Sequence, residues 1–389
     1  MKHTILKTLL YYFAAAGLAG HVLLLVVEVK DPTLRPLLQE KALHFLFGVQ
    51  SAAAEQKPPG TAEVKADIAR AFTPWQPNDK RYPPRQGVWR NGKQYASLTE
   101  AVKALQHGDT LHLGAGIYNT AFRVNKNDIT ITGYGHVVLE KGTVNGKGFI
   151  LATGTNLTVN NLECRQISVP SKNGACIRLE GAGLTLDNVY FHSSEEGILE
   201  TAKTVGNIYI ANSRFELLGK AGRAHALYLN SANLYFSSSM VLAPRGQGHG
   251  IKSRGAVTVI ENSIIAGLSS QDSRLVDISN GGKLTITGSV LQQGPFSANH
   301  QAIGYGLEGI KHKENAVNIS DNVFILERHG SNVLYKAHDT APPARIVSNM
   351  IVGADNSDSD NFHFDSRKKA GLAKYPLLPA LLCDSGQKC

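Results

Sequence analysis

"LTITGSVL", Leu284–Leu291, alternates apolar and polar residues, passes a glycine and a serine, and resumes with Val290 and Leu291. The same apolar-x-apolar-x-x-small-x-apolar unit occurs as "LTLDNVYF" from Leu184, "IYIANSRF" from Ile208, "LYFSSSMV" from Leu234, "TVIENSII" from Thr258 and "VNISDNVF" from Val317. From Leu184 to Leu284 the unit starts about every 24 to 26 residues. A fixed period of this length marks a repeat architecture. One strand cannot absorb so many residues, but a coil of two or three short strands and turns can. Coils stacked in parallel pair each strand with its copies above and below at roughly 4.8 Å, burying the apolar positions in a continuous column.

Outward from the repeats, "YASLTEAVKALQHGDTLHLGAGIY" offers Ser97 as a helix N-cap with Glu100 three residues on, and an apolar stripe through Leu98, Val102 and Leu105. A Gly-Asp turn then leads into a strand at Thr110 to Leu113. The repeat domain is expected over 88–355, with 356–389 as a C-terminal tail. Upstream, 31–87 reads as a juxtamembrane segment, with a short helix from Pro32 to Phe47, followed by a linker rich in Pro, Ala and charge. Residues 1–30 hold an apolar run from Leu9 to Val27, long enough to cross a hydrocarbon core and preceded by Lys2 and Lys7. It is expected as an uncleaved transmembrane anchor, with a signal peptide cleaved near "AGLAG" as the alternative. Either way the domain is exported, in the expected setting of a bacterial periplasm and held to the inner membrane.

Lys and Arg outnumber Asp and Glu by 40 to 31, and fourteen His residues add charge in mildly acidic surroundings. An acidic partner is favoured. Nucleic acid is not expected: the domain is exported, 7% of residues are aromatic, and no recognised binding module is present. Cys383 and Cys389 are close enough to close a small disulfide loop, whereas Cys164 and Cys176 fall at apolar strand positions and read as buried thiols. No CxxC pair or His/Cys cluster reads as a metal site, and no cofactor is expected.

The capping helix, "GDTLHLGAGIY" and the "LTITGSVL" units together resemble the single-stranded right-handed parallel β-helix proteins of the pectate-lyase-like superfamily, over roughly Val88 to Asp355. The resemblance implies an all-β solenoid with an N-terminal capping helix. It implies polysaccharide chemistry only loosely, because the superfamily holds lyases, hydrolases, uronate epimerases, esterases and adhesins. Neither the paired-aspartate pattern of polygalacturonase-like hydrolases nor the acidic calcium ligands of pectate lyases is found.

Counting about seven residues back from Leu184, Leu234 and Thr258, and eight from Leu284, aligns Ile177, Leu227, Ile251 and Val276. "ACIRLE", "HALYLN", "HGIKSR" and "RLVDIS" are therefore expected as rungs of one parallel sheet. One position on, facing outward, come Arg178, Tyr228, Lys252 and Asp277; two further on come Glu180, Asn230, Arg254 and Ser279. Two positions before the apolar residue come Ala175, His225, His249 and Arg274, which strict alternation points inward but a turn can point out. Arg245, Glu195, Glu196, Tyr305 and Glu308 lie in or beside the connecting turns and are expected at the rim of a groove.

This cluster suits proton abstraction from C5 of a uronate. The substrate carboxylate must be neutralised, a task for Arg254 or Arg274. His249 or Lys252 is the candidate base, and Tyr228 or His225 the candidate acid, with Asp277, Arg245 and Glu308 as further substrate contacts. A lyase or C5-epimerase acting on an acidic polysaccharide is expected. The alternatives are a hydrolase using Asp277 with Glu308, Glu195 or Glu196, and a membrane-tethered protein that binds an acidic polysaccharide without reacting.

Overall fold

Each repeat unit folds as two short strands meeting at a corner, such as Leu184–Asp187 with Tyr190–His192 and Lys283–Thr287 with Val290–Gln293. The corner residues Asn188, Asn212, Asn262 and Gly288 adopt left-handed φ values of 50°, 51°, 46° and 59°, a conformation in which glycine is unstrained and asparagine tolerated. The small position follows immediately, and its role is hydrogen bonding. Ser213, Ser239, Ser263 and Ser289 each accept the backbone N–H of the equivalent residue one coil earlier (Val189, Ser213, Ser239 and Ser263) at 3.1, 3.0, 3.2 and 3.1 Å. Asn322 and Asn349 extend the ladder at 2.9 and 3.0 Å. These side chains are buried, so each satisfies a donor that nothing else reaches.

The structure, a computed structural model, describes residues 57–354 and 359–381. The expected anchor at Leu9–Val27, the expected helix at Pro32–Phe47 and the Cys383–Cys389 pair lie outside the described residues. Among the described residues no helix is long and apolar enough to cross a membrane.

The coils stack into a parallel β-solenoid made of a 21-stranded sheet, folded at the corners, and a nine-stranded sheet. Leu184, Ile208, Leu234, Thr258, Leu284 and Val317 stack in one column, as the repeat requires. The nine-stranded sheet has its own inward column of Ile177, Ile198, Leu227, Ile251, Val276 and Ile303, and both columns feed one core. One rung escaped the sequence count. Glu196–Glu200 lies between "ACIRLE" and "HALYLN", because the turn from Thr201 to Gly206 is longer than its neighbours and places Ile198 ten residues before Ile208 rather than seven.

Three further expectations are corrected. Residues from Gly60 on are not a free linker: helix α1, Thr61–Ala71, lays Val64 and Ile68 over Leu242, Ile264, Ala266 and Val290, an apolar outer face of the solenoid. The tail is not free either. Phe362–Phe364 pairs in parallel with Met350–Val352, Leu378 and Leu381 join the α1 cluster, and the Tyr375 hydroxyl donates to Asp67 at 3.1 Å. Cys164 and Cys176 are not thiols but a disulfide with Cα atoms 5.9 Å apart; alternation marks both as buried without showing that adjoining strands bring them together. The capping helix α2, Leu98–Lys103, forms as expected, with the Ser97 hydroxyl accepting the Glu100 N–H at 3.2 Å.

Candidate functional site

Because Ile251 and Val276 face the core, the next residue of each rung points out of the nine-stranded sheet. Tyr228, Lys252 and Asp277 are consecutive in that outward column, with Leu199 before them and Gly304 after. Leu199 separates Arg178 from the group. Arg178 lies beside Glu180 instead, at 3.5 Å.

Lys252 is the centre of the cluster. It is only 8% exposed, and its Nζ donates to Asp277 Oδ2 at 3.0 Å and to Glu308 Oε1 at 2.7 Å. Arg254 Nε and Nη2 hold Glu308 Oε2 at 3.0 and 2.8 Å, while its Nη1 donates to the Tyr228 hydroxyl at 2.5 Å and to Asn230 Oδ1 at 3.1 Å. Asp277 also accepts from Ser279 Oγ at 2.8 Å and from Arg274 Nη1 at 3.4 Å. Burial pushes the carboxyls of Asp277 and Glu308 upward, but the neighbouring donors and cations outweigh it, and both lie below their ordinary values. Gly304 leaves the space that Arg274 uses, since a Cβ there would meet Arg274 Cδ at 2.8 Å and Asp277 Oδ1 at 2.9 Å.

His225 and His249 stack with ring centroids 4.7 Å apart and an interplanar angle of 22°. Their Nδ1 atoms accept backbone N–H groups from the next rung: His249 N to His225 at 3.0 Å, and Arg274 N to His249 at 3.1 Å. Burial drives both imidazoles toward the neutral form, aided by Lys252. His249 falls to about 4, against the opposing pull of Asp277, and His225 well below its ordinary value. A neutral ring whose Nδ1 lone pair is occupied carries its proton on Nε2. His249 is therefore a donor, and the expectation of a general base there does not fit the geometry.

The turn residues behave differently from expectation. Glu308 does reach the cluster, but Arg245 sits at another corner, its Nη2 3.5 Å from the Ser194 carbonyl oxygen. Glu195 is buried and ties down the loop before it, accepting from Ser168 Oγ and from the N–H groups of Val169 and Gly174 at 2.8, 3.0 and 2.9 Å. Tyr305 is 0% exposed, with its hydroxyl donating to the Gly282 carbonyl at 2.6 Å, so it is core rather than rim; its spacing of two from the inward Ile303 already implied this. Glu196 occupies the rung before His225 and is 0% exposed; neither oxygen makes a well-formed hydrogen bond, although the His225 backbone N–H acts on the carboxyl. Burial raises its carboxyl well above the ordinary value, with Arg178 opposing and Glu195 reinforcing. Glu196 is thus sealed inside with its carboxyl pushed toward the neutral form, while Asp277, itself only 2% exposed, and the more open Glu308 are both paired with the same lysine. That division does not suit a hydrolase, which needs an exposed acid facing a second carboxylate.

A second polar cluster went unnoticed in the sequence. Glu163 accepts from His136 and His192 at 2.7 and 2.9 Å on the outer face of the 21-stranded sheet, and Trp75 stacks on the adjoining Tyr190 with centroids 5.6 Å apart. Among the described residues no group of three His, Cys, Asp or Glu side chains converges as a metal site.

The architecture and the site define a parallel β-helix protein with a compact cation–carboxylate cluster on the outer face of its nine-stranded sheet. No family model matches the chain, and no curated protein matches it. Among solved structures, the crystal structure of pectate lyase Pel9A matches with a TM-score of 0.40 and 14% identity, covering 73% of this chain and 78% of that one.

Proposed function

We propose that the chain is an exported polysaccharide lyase acting on a uronate-containing glycan. The observation that carries the reading is the carboxylate of Glu308, clasped by Lys252 and Arg254 beside the Tyr228 hydroxyl. Two cations that hold one carboxylate can hold another of the same geometry. In the proposed complex the substrate carboxylate takes the place of Glu308, and Arg254 and Lys252 neutralise it, which acidifies the C5–H bond. Lys252 remains paired with Asp277, so it serves as a cation rather than a base. The proton falls to Tyr228, whose oxygen already accepts from Arg254. Once its own hydroxyl proton has passed to solvent, Tyr228 takes the C5 proton; the C4–O4 bond breaks, a C4–C5 double bond forms, and the tyrosine gives that proton to the departing oxygen, which regenerates the starting state. One group on one sheet face serves both steps of an elimination. Epimerisation needs a donor on the opposite ring face, which this column does not supply. Export, and the periplasmic setting with its membrane anchor, belong to the same proposal; the Cys164–Cys176 disulfide suits an oxidising compartment.

The test offers the purified protein a panel of polyuronates and follows the ultraviolet absorbance of unsaturated products together with C5-proton exchange. The expected result is absorbance. Exchange without cleavage would indicate an epimerase, new saturated reducing ends a hydrolase, and binding without reaction a tether. Tyr228→Phe is expected to lower turnover by about a hundredfold or more while leaving affinity intact, and Arg254→Ala to weaken binding. Glu308→Gln, which removes the competing carboxylate, is expected to tighten oligouronate binding by about tenfold, or ~1.4 kcal/mol. Turnover unchanged in Tyr228→Phe would sink the mechanism.

A further inference from the structure

We infer that the corner beside the cluster carries a second glycan-binding site, a neutral platform for a pyranose ring centred on Tyr209. The inference rests on the glycan reading above and extends it to a surface outside the ionic cluster. On the outer face of the 21-stranded sheet, Thr158, Thr185, Tyr209 and Tyr235 occupy one column on successive rungs. Tyr209 and Tyr235 stack with centroids 4.9 Å apart and an interplanar angle of 16°. The stack stops at Tyr209. The preceding rungs offer threonines in place of a ring, so one face of Tyr209 is uncovered and the residue is 46% exposed.

An open cavity of about 570 Å³ lies there, lined among others by Asn156, Thr158, Thr185, Val205, Asn207 and Tyr209 and by no charged side chain. The volume falls in the range of small-ligand sites. An aromatic face beside hydroxyls and amides, without charge, suits a ligand with an apolar face and a hydroxylated edge, and a pyranose ring has both. Asn207 Nδ2 donates to the Tyr209 hydroxyl at 3.1 Å, which fixes the ring's edge. A pyranose laid on Tyr209 would continue the stack that the threonines interrupt.

A second cavity leads from the platform toward the sheet that carries the cluster. It has a volume of about 560 Å³, shares Thr155 and Ala182 with the first and reaches Glu180 and Thr201. Thr201 directly follows the strand whose Glu200 pairs with Leu229, and the next residue there, Asn230, holds Arg254. A chain bound at Arg254 can therefore run round the corner to Tyr209, with charge recognised at one end and ring faces at the other.

The experiment measures affinities of hexagalacturonate, digalacturonate and the neutral cellohexaose for wild type, Tyr209→Ala, Tyr209→Trp and Lys252→Ala, with unfolding midpoints to confirm intact folds. Tyr209→Ala is expected to weaken hexagalacturonate binding about tenfold and to leave digalacturonate unchanged. Tyr209→Trp is expected to restore binding, and Lys252→Ala to weaken both uronates. Hexagalacturonate affinity unchanged in Tyr209→Ala but lowered in Lys252→Ala would overturn the platform while leaving the proposed function standing. If neither uronate binds wild type, the proposed substrate is wrong; Tyr209-dependent binding of cellohexaose would then still support the platform, and its absence would overturn it.

Discussion

His249 shows how one buried side chain joins the architecture to the site. Its Nδ1 caps the Arg274 N–H of the next rung, while its Nε2 edge faces Asp277 at 3.9 Å, with Lys252, Arg274 and Glu308 also acting on it. Its value falls from 6.5 unfolded to about 4 folded, so the unfolded chain binds its proton more readily. The stability this contributes is complete above pH 6.5 and is lost as the pH falls through about 4. Asp277 and Glu308, also depressed, act with the same sign but at lower pH. Glu196 and Asp272, raised by burial, act with the opposite sign. The difference between proteins is therefore the quantity to measure. His249→Gln is expected to destabilise more at pH 7.5 than at pH 4, by up to roughly 3 kcal/mol, in urea titrations at both pH values; a pH-independent difference would show that His249 is not held neutral. The residue types of the site were legible in the sequence, and so was the juxtaposition of Tyr228, Lys252 and Asp277, because the turns joining those rungs are of similar length. The hydrogen-bonding role of the histidines was not, since it depends on which ring nitrogen meets a backbone donor.

At the scale of the element, the corner does more than turn the chain. Periodicity located the small position of the repeat but not its purpose, and a small apolar residue would satisfy the same pattern. The hydroxyl is required because stacking leaves one backbone N–H per coil facing the interior. Ser263 accepts the Ser239 N–H and donates to the Glu261 carbonyl at 2.7 Å. Ser263→Ala leaves the Ser239 donor buried and unpaired, and is expected to cost about 1–3 kcal/mol in chemical denaturation. Thr285→Ala, on the outward side of the same stack, is expected to cost less than about 0.5 kcal/mol. Equal losses would remove the special role of the ladder. The missed Glu196–Glu200 rung shows the limit of counting: an insertion in a turn changes the spacing but not the register, because the strands still pair through their backbones.

At the scale of the molecule, the solenoid leaves one outer face apolar, and chain from both sides of the repeats closes over it. Val64 and Ile68 of α1 lie on that face with Leu378 and Leu381, and the Tyr375 hydroxyl meets Asp67. The i, i+4 spacing of Val64 and Ile68 was present in the sequence, but Pro- and Ala-rich flanks concealed it under a linker composition. A coil stack derives its stability from contacts between neighbours, so loosening α1 should uncover this face without unwinding the coils. Trp75 supplies the readout. It follows α1, stacks on Tyr190 and donates to Asn188 Oδ1 at 3.1 Å, and with Trp89 replaced by Phe it is the sole tryptophan of the chain. In that background Val64→Asp with Ile68→Asp removes two buried apolar side chains, each worth about 1.5–3 kcal/mol, and places charge against Leu242 and Ile264. The expected outcome is a red shift of Trp75 emission and concentration-dependent self-association through the uncovered face, with the far-ultraviolet β-signal unchanged. If Trp75 kept its native emission, α1 would be held by polar contacts such as Tyr375 with Asp67 rather than by its apolar stripe. If the β-signal collapsed as well, α1 would be part of the cooperative core of the solenoid rather than a cover laid upon it.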